Sequence, residues 1–348
     1  MKKTRVIAVL MAMAMAAMTG CGGSSAPASS AAPASSAAPA SSAAPASSEA
    51  APAEDVKYPT ETIQIIVPLK PGGDTDLNAR MFAKYLEQEL GSSVVVVNVE
   101  GAGGTIGMDQ VLESKPDGHT VLFFHTEAML TEISGLIDYK LDAYDFAGVC
   151  LVDNTTVLAT HKDAPYKTLP ELVEYAKANP GKVEFGMQTG GYPHLIGLAL
   201  EQVTGTDMNL VDVGGNAAKT TALLGHKTDV INTQYGLNKE YFDNGEFINL
   251  GLCSKERNEL MPDLETTTEQ GYEMDFNKFF FCAMPKGTDP AVLNRFTTAM
   301  KNVCENEEFI AEAGKSFLTS QYMDPVEGME YANMVYDNLV QYKDLFNA

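Results

Sequence analysis

The chain has 348 residues, 45% of them apolar, with 17 Met, 15 Phe and 14 Tyr, enough to build one large core or two moderate ones. Its formal charge is −22, and the first twenty residues hold Lys2, Lys3 and Arg5 but no acid, so the chain beyond them is more acidic still. That sign excludes nucleic acid and anionic membrane faces as natural partners, and an anionic ligand would have to be held by local donors against the mean field.

The basic trio precedes an apolar run from Val6 to Met18 that closes at Met18-Thr19-Gly20-Cys21. A basic segment, a short apolar stretch and small residues before a boundary predict an export signal over residues 1–20, too short for a comfortable membrane span. A cysteine directly after Thr-Gly fits a lipoprotein signal, in which Cys21 is acylated and ties the chain to the membrane. The plainer alternative is an ordinary export signal that contains a cysteine. Residues 21–55 are almost entirely Ser, Ala and Pro, with Ala-Pro-Ala-Ser-Ser recurring. Such a composition cannot bury a core and predicts an extended tether.

In the body, Ile63–Val67 reads as a strand that empties into Pro68-Leu69-Lys70-Pro71-Gly72-Gly73-Asp74-Thr75-Asp76, after which Leu77, Met81, Phe82, Tyr85, Leu86 and Leu90 recur at helical spacing. Val94–Val99 repeats the device, ending in Gly101-Ala102-Gly103-Gly104-Thr105-Ile106-Gly107. A strand is predicted at 119–124, a helix near 128–137, and one long strand over 146–159. Leu169-Pro170-Glu171 opens a helix that Asn179-Pro180-Gly181 stops. A strand over 183–187 then runs into Gln188-Thr189-Gly190-Gly191-Tyr192-Pro193-His194 and a helix to Val203. Leu210–Val213 leads through Gly214-Gly215-Asn216 to a helix ending at Leu224, strands follow near 229–232, 248–253 and 279–284, and two amphipathic helices finish the chain. This alternation predicts an α/β fold with largely parallel sheets in two lobes. Residues 56–158 with 276–348 are assigned to one lobe and 159–275 to the other, with strands near 149–159 and 279–284 crossing between them.

Adjacent glycines between a strand and a helix bare backbone N–H groups and add the positive helix end, which makes an anion receptor from main chain. The candidate ligand-binding residues are therefore Lys70, Pro71, Gly72, Gly73, Asp74, Thr75 and Asp76 in one loop, and Thr189, Gly190, Gly191, Tyr192 and His194 in another. His125 and Thr126 at a strand end, and Gly215 and Asn216 at a third helix start, complete the set. Each has a bland reading. Double glycines serve turns, Asp76 is expected to be the N-cap of its helix, Lys70 is a solvated loop lysine, and lone histidines pack or cap. Asp74 could instead receive an ammonium group, which would favour an amino acid ligand. Cys150, Cys253, Cys282 and Cys304 lie far apart without a C-x-x-C pair and are expected as buried free thiols; no spacing suits a metal.

Several of these stretches together carry a resemblance. Pro68-x-x-Pro71-Gly72-Gly73-x-x-Asp76, Val95-x-Val97-Asn98-x-x-Gly101-Ala102-Gly103-Gly104, Pro116-Asp117-Gly118-His119-Thr120, Leu223-Leu224-Gly225-x-x-x-Asp229-Val230, Thr267-x-Glu269-x-Gly271-Tyr272 and Pro285-x-Gly287-Thr288-x-Pro290 resemble the substrate-binding proteins of tripartite tricarboxylate transporters, the Bug family. The resemblance implies a type II-like periplasmic-binding-protein fold whose two lobes close on a small organic carboxylate for delivery to integral-membrane transporter subunits. It also implies that ligand carboxylates are held chiefly by backbone N–H groups and ordered waters of two loops, here Lys70–Asp76 and Gln188–His194. The chain departs from the family at Val211-Asp212-Val213-Gly214, where Val-Pro-Tyr is common, at Asp74, where a small uncharged residue is usual, and at Lys70.

The Gly101–Gly107 loop, with Glu127 about twenty residues on, resembles a dinucleotide fingerprint, but Ile106 falls where the third glycine belongs. No nucleophile elbow, His-Glu-x-x-His or Walker loop is present, so a receptor without cofactor or catalytic residue is expected over an exported enzyme or a sensor lobe.

Overall fold

Strands buried on both faces need apolar runs, and the chain supplies one at Phe279–Met284 and another at Ile63–Val67 that only the exposed Gln64 interrupts. The computed structural model describes residues 56–347; the leader, Cys21 and the predicted tether lie outside them. In chain order the first half runs β1 (Ile63–Val67), α1 (Asp74–Leu90), β2 (Val94–Asn98), α2 (Thr105–Leu112), β3 (Thr120–His125), α3 (Glu127–Ile133) and β4 (Asp145–Asp153). After two residues come β5 (Thr156–His161), α4 (Leu169–Ala178), β6 (Glu184–Met187), α5 (Tyr192–Thr204), β7 (Asn209–Asp212), α6 (Asn216–Leu224), β8 (Val230–Gln234), α7 (Lys239–Asp243) and β9 (Phe247–Leu252). The chain then returns as β10 (Lys278–Met284), α8 (Pro290–Glu305), α9 (Glu307–Gly314), β11 (Thr319–Met323) and α10 (Pro325–Val340).

Two sheets result, ordered β11-β4-β10-β3-β1-β2 and β7-β6-β8-β5-β9. They share one plan. A β-α-β-α-β unit lays down three parallel strands, and the strand arriving from the other sheet pairs antiparallel beside the third: β10 on β3, and β5 on β8. The expected α/β two-lobed fold is present, but the sheets are mixed rather than largely parallel, because each crossing strand enters antiparallel. The stretch 146–159 is likewise two strands in different sheets, broken at Asn154 and Thr155. The end of the chain holds three helices with β11 between the last two, not two helices alone.

Alternation along the strands feeds two layers around the first sheet. Phe123, Phe280 and Cys282 face Phe82, Leu86, Phe296, Met300 and Phe309 of α1, α8 and α9. Leu122, Phe124, Phe279 and Phe281 face Met108, Leu130, Val335 and Leu339 of α2, α3 and α10, in a core that continues to Leu158 and Phe185 of the second sheet. Cys150, Cys253, Cys282 and Cys304 are buried free thiols, as their apolar contexts require, and burial pushes Cys150, Cys253 and Cys304 above the usual thiol range.

Candidate ligand-binding site

Three glycine pairs start three helices in the same way. Gly72, Gly190 and Gly214 are left-handed, at φ +79°, +76° and +92°. Each is followed by an extended glycine that serves as N-cap: Gly73 for α1, Gly191 for α5 and Gly215 for α6. Left-handed backbone costs a side chain roughly 1–2 kcal/mol per residue, which explains the first glycine of each pair. The second lacks only a side-chain cap, and that lack is selective. Among described helices of eight or more residues, α1, α2, α5 and α6 begin on glycine with no side-chain cap. The other four, α4, α8, α9 and α10, are capped by Thr168, Asp289, Asn306 and Asp324.

All four uncapped starts border one cavity of about 760 Å³. One wall comes from Pro68 to Pro71, Gly73, Asp74 and the Glu100–Gly104 loop; the other comes from Gln188, Tyr192, Pro193 and 213–218. Asn232, Gln234 and Lys278 line its floor with His125 and Glu127. A second cavity, of about 130 Å³ beside α3 and α10, includes none of the expected residues.

Of those expected from the sequence, Lys70, Pro71, Gly73, Asp74, His125, Tyr192, Gly215 and Asn216 line the large cavity. Gly72, Thr75, Asp76, Thr126, Thr189, Gly190, Gly191 and His194 do not. Asp76 is the third residue of α1, not its N-cap. Its Oδ2 accepts from Gly72 N at 2.9 Å, its other oxygen pairs with Arg80 at 2.9 Å, and these partners hold the carboxyl below its usual range against the effect of burial. His194 Nδ1 accepts from Gly190 N at 3.2 Å and so braces its own loop. Thr126 Oγ1 accepts from Phe279 N at 3.2 Å. Lys70 is exposed and lies 3.7 Å from Glu100.

Asp74 does receive an ammonium group, but it belongs to Lys278. Lys278, at the start of β10, touches the Asp74 carboxylate and lies 2.9 Å from Asp153 at the end of β4, its register partner. Burial alone would raise Asp74, yet the Lys278 charge outweighs it and holds the carboxyl at about 2. Across the cavity, Asn216 Nδ2 donates to Asp74 Oδ1 at 3.1 Å and to Gln234 Oε1 at 2.7 Å. Lys219 is wholly buried and donates to Asn232 O at 2.6 Å and Oδ1 at 3.0 Å. Burial lowers Lys219 to about 7, and burial aided by the Lys278 charge lowers His125 to about 3, so the imidazole is neutral. Lys278, Asp153, Lys219 and Glu127 were invisible as site residues in the sequence. Glu127 was noticed only as an acid at dinucleotide spacing.

A mixed-sheet, two-lobed body around a cavity ringed by bare helix starts is the architecture of a solute-binding receptor, and the family match decides which. The family "Tripartite tricarboxylate transporter family receptor" matches residues 78–348. The chain belongs to this family. Members of the tripartite tricarboxylate receptor family are extracytoplasmic solute-binding receptors, not enzymes. Protein BugT of Bordetella pertussis is 34% identical over 275 residues, covering 76% of this chain and 83% of BugT. Among solved structures, an R. palustris protein with adipate is 21% identical, with a TM-score of 0.76 over 83% of this chain and 98% of that one. MatC from Rhodopseudomonas palustris with bound malate is 22% identical, with a TM-score of 0.73 over 83% and 100%. At those identities the likeness is one of fold.

Proposed function

We propose that this chain is an extracytoplasmic lipoprotein that captures a small organic acid with two or three carboxylates and delivers it to the integral-membrane subunits of a tripartite tricarboxylate transporter. The observation that carries the reading is the sorting of helix starts: bare on glycine at the cavity, capped by side chains everywhere else among the longer described helices. Bare N–H groups and helix dipoles directed at one cavity attract anions, and several such ends suit a ligand with more than one acid group. Adipate and malate in the two structural neighbours are dicarboxylates, which supports that class. In this reading residues 56–158 with 276–348 and residues 159–275 are lobes that clamp the ligand between Lys70–Asp76 and Gln188–His194. Residues 1–20 are the export signal, and residues 21–55 link the body to a lipid on Cys21.

A melting panel of malate, adipate, citrate, aspartate and benzoate tests capture. A ligand at a hundred times its dissociation constant stabilises by about 2.7 kcal/mol, a shift of several degrees for a body this size. Silence across the panel, in protein first shown to be ligand-free, overturns the reading. For the anchor, Cys21→Ala should abolish lipid labelling and move the chain from the membrane fraction or block its processing. Unaltered labelling and fractionation would refute it.

A further inference from the structure

Five ionisable side chains act on one another at the cleft floor: Asp74 from α1, His125 and Glu127 from the β3–α3 junction and Lys278 from β10 line it, and the charge of the buried Lys219 from α6 reaches Asp74 and Glu127. Four are committed. Lys278 is held by Asp74 and Asp153, Lys219 by both oxygens of Asn232, and His125 Nδ1 by Glu127 N at 3.2 Å. The Glu127 carboxyl is different. The residue is 5% exposed, its Oε1 has no hydrogen-bond partner among the described residues, and its Oε2 lies 3.6 Å from His125 Nε2, beyond hydrogen-bond length. It also reaches across the cleft, since a Cβ placed on Gly191, the N-cap of α5, would lie 2.7 Å from Oε1.

A buried carboxylate that no donor binds and no cation contacts is costly, whereas the neutral acid is far less so. Burial first, and then the Asp74 charge, push the Glu127 carboxyl up to about 7 against the pull of Lys278 and Lys219. A ligand carboxylate drawn to the start of α5 would add a second like charge beside it. The neutral carboxyl instead offers one O–H donor, and an O–H to carboxylate bond is short and charge-assisted.

We propose that Glu127 enters the complex as the neutral acid and donates its hydrogen bond to a ligand carboxylate, so each anion captured takes up about one proton from solvent. The inference rests on the carboxylate-receptor reading of the cleft. The proton stays on a Glu127 oxygen and no bond of the ligand changes. Above the range where the free acid titrates, affinity should fall about tenfold per pH unit; below it, affinity should level off.

Calorimetric titration of the mature protein with malate at pH 8, in two buffers of different ionisation enthalpy, counts the protons; adipate and citrate follow if malate does not bind. The wild type should take up close to one proton, and its Kd should rise about tenfold between pH 7.5 and 8.5. Glu127→Gln should show near-zero uptake and a flat profile. Proton release, or no proton exchange at all, in the wild type overturns the proposal. Uptake that persists in Glu127→Gln does so too, because the proton then rides on Lys219 or another group. Failure of all three acids strikes at the receptor reading, and the proton is then decided without ligand. The infrared band of a protonated carboxyl should appear in the wild type at pH 6 and be missing in Glu127→Gln; equal bands overturn the proposal.

Discussion

Lys278 is 1% exposed, and its ammonium is one of few charges that a protein can keep in such a place. Burial acts to strip its proton, but Asp153 and Asp74 outweigh burial and raise the group above its ordinary range. The Phe280 ring, 5.1 Å from Nζ, adds a weaker cation–π contact. Removing one member of a buried ionic group costs more than the group contributes, because the remaining charges keep their desolvation penalty. Lys278→Met should therefore destabilise by about 3–5 kcal/mol at pH 7, measured by denaturant unfolding. The acid side gives the sign. Asp74 is depressed to about 2, so the wild type keeps the Asp74 contribution above the ordinary carboxylate value and loses it as pH falls from about 4 towards 2. Without the ammonium, burial leaves Asp74 preferring its proton, so Lys278→Met should regain stability on acidification to pH 5. A loss under 1 kcal/mol at pH 7 would mean that the three groups do not depend on one another.

Helix starts sort by what faces them. Away from the cavity, Thr168 and Glu171 close a reciprocal capping box, and Asp289, Asn306 and Asp324 each accept from the first turn. At the cavity the helix starts carry no such side-chain cap. Gly73 is the cleanest place to test that trade. Its backbone is extended, at φ −80°, and a Cβ there would meet nothing closer than Lys70 O at 3.7 Å. Gly73→Ser should therefore fold, cap α1 and raise stability by a few tenths of a kcal/mol. It should also weaken carboxylate binding about tenfold, because the hydroxyl takes a donor that a charged ligand would use at roughly 1.5–3 kcal/mol. Stability and affinity moving in opposite directions is the signature to measure, by melting and titration on one preparation. An affinity unchanged in a stabilised variant would mean that the start of α1 does not meet ligand. These starts were legible in the sequence because strand, glycine pair and helix are contiguous and each has a local cause. Strand β11 was not, since Thr319-Ser320-Gln321-Tyr322-Met323 is an edge strand without an apolar run, paired with β4 alone among the strands.

The whole molecule is two copies of one sheet plan, traded across two crossings. The alternation of strands and helices made the fold class readable, and loop spacing brought the two walls of the cavity into view. Strand direction was hidden because it depends on which sheet a strand joins, which no local pattern records. The charged floor was hidden for the same reason: Asp74, Asp153 and Lys278 are spread over some two hundred residues and meet only where β4 and β10 pair. That meeting place also joins the two halves by a hydrogen bond. Asp74, from the first-sheet half, accepts from Asn216 at the start of α6 in the second-sheet half, and Asn216 is steadied by Gln234. A hydrogen bond to a charged group contributes roughly 1.5–3 kcal/mol. A bond made only when the halves approach therefore biases the closed form by about tenfold or more. Asn216→Ala should shift ligand-free protein towards an open form with a larger radius of gyration in solution scattering. Its carboxylate affinity should fall in proportion to the closed population lost, because ligand must then supply the missing closure energy. Saturating ligand should restore the compact radius, which separates opening from unfolding. If the radius and the affinity both match the wild type while the melting curve stays cooperative, the Asp74–Asn216 bond does not control closure.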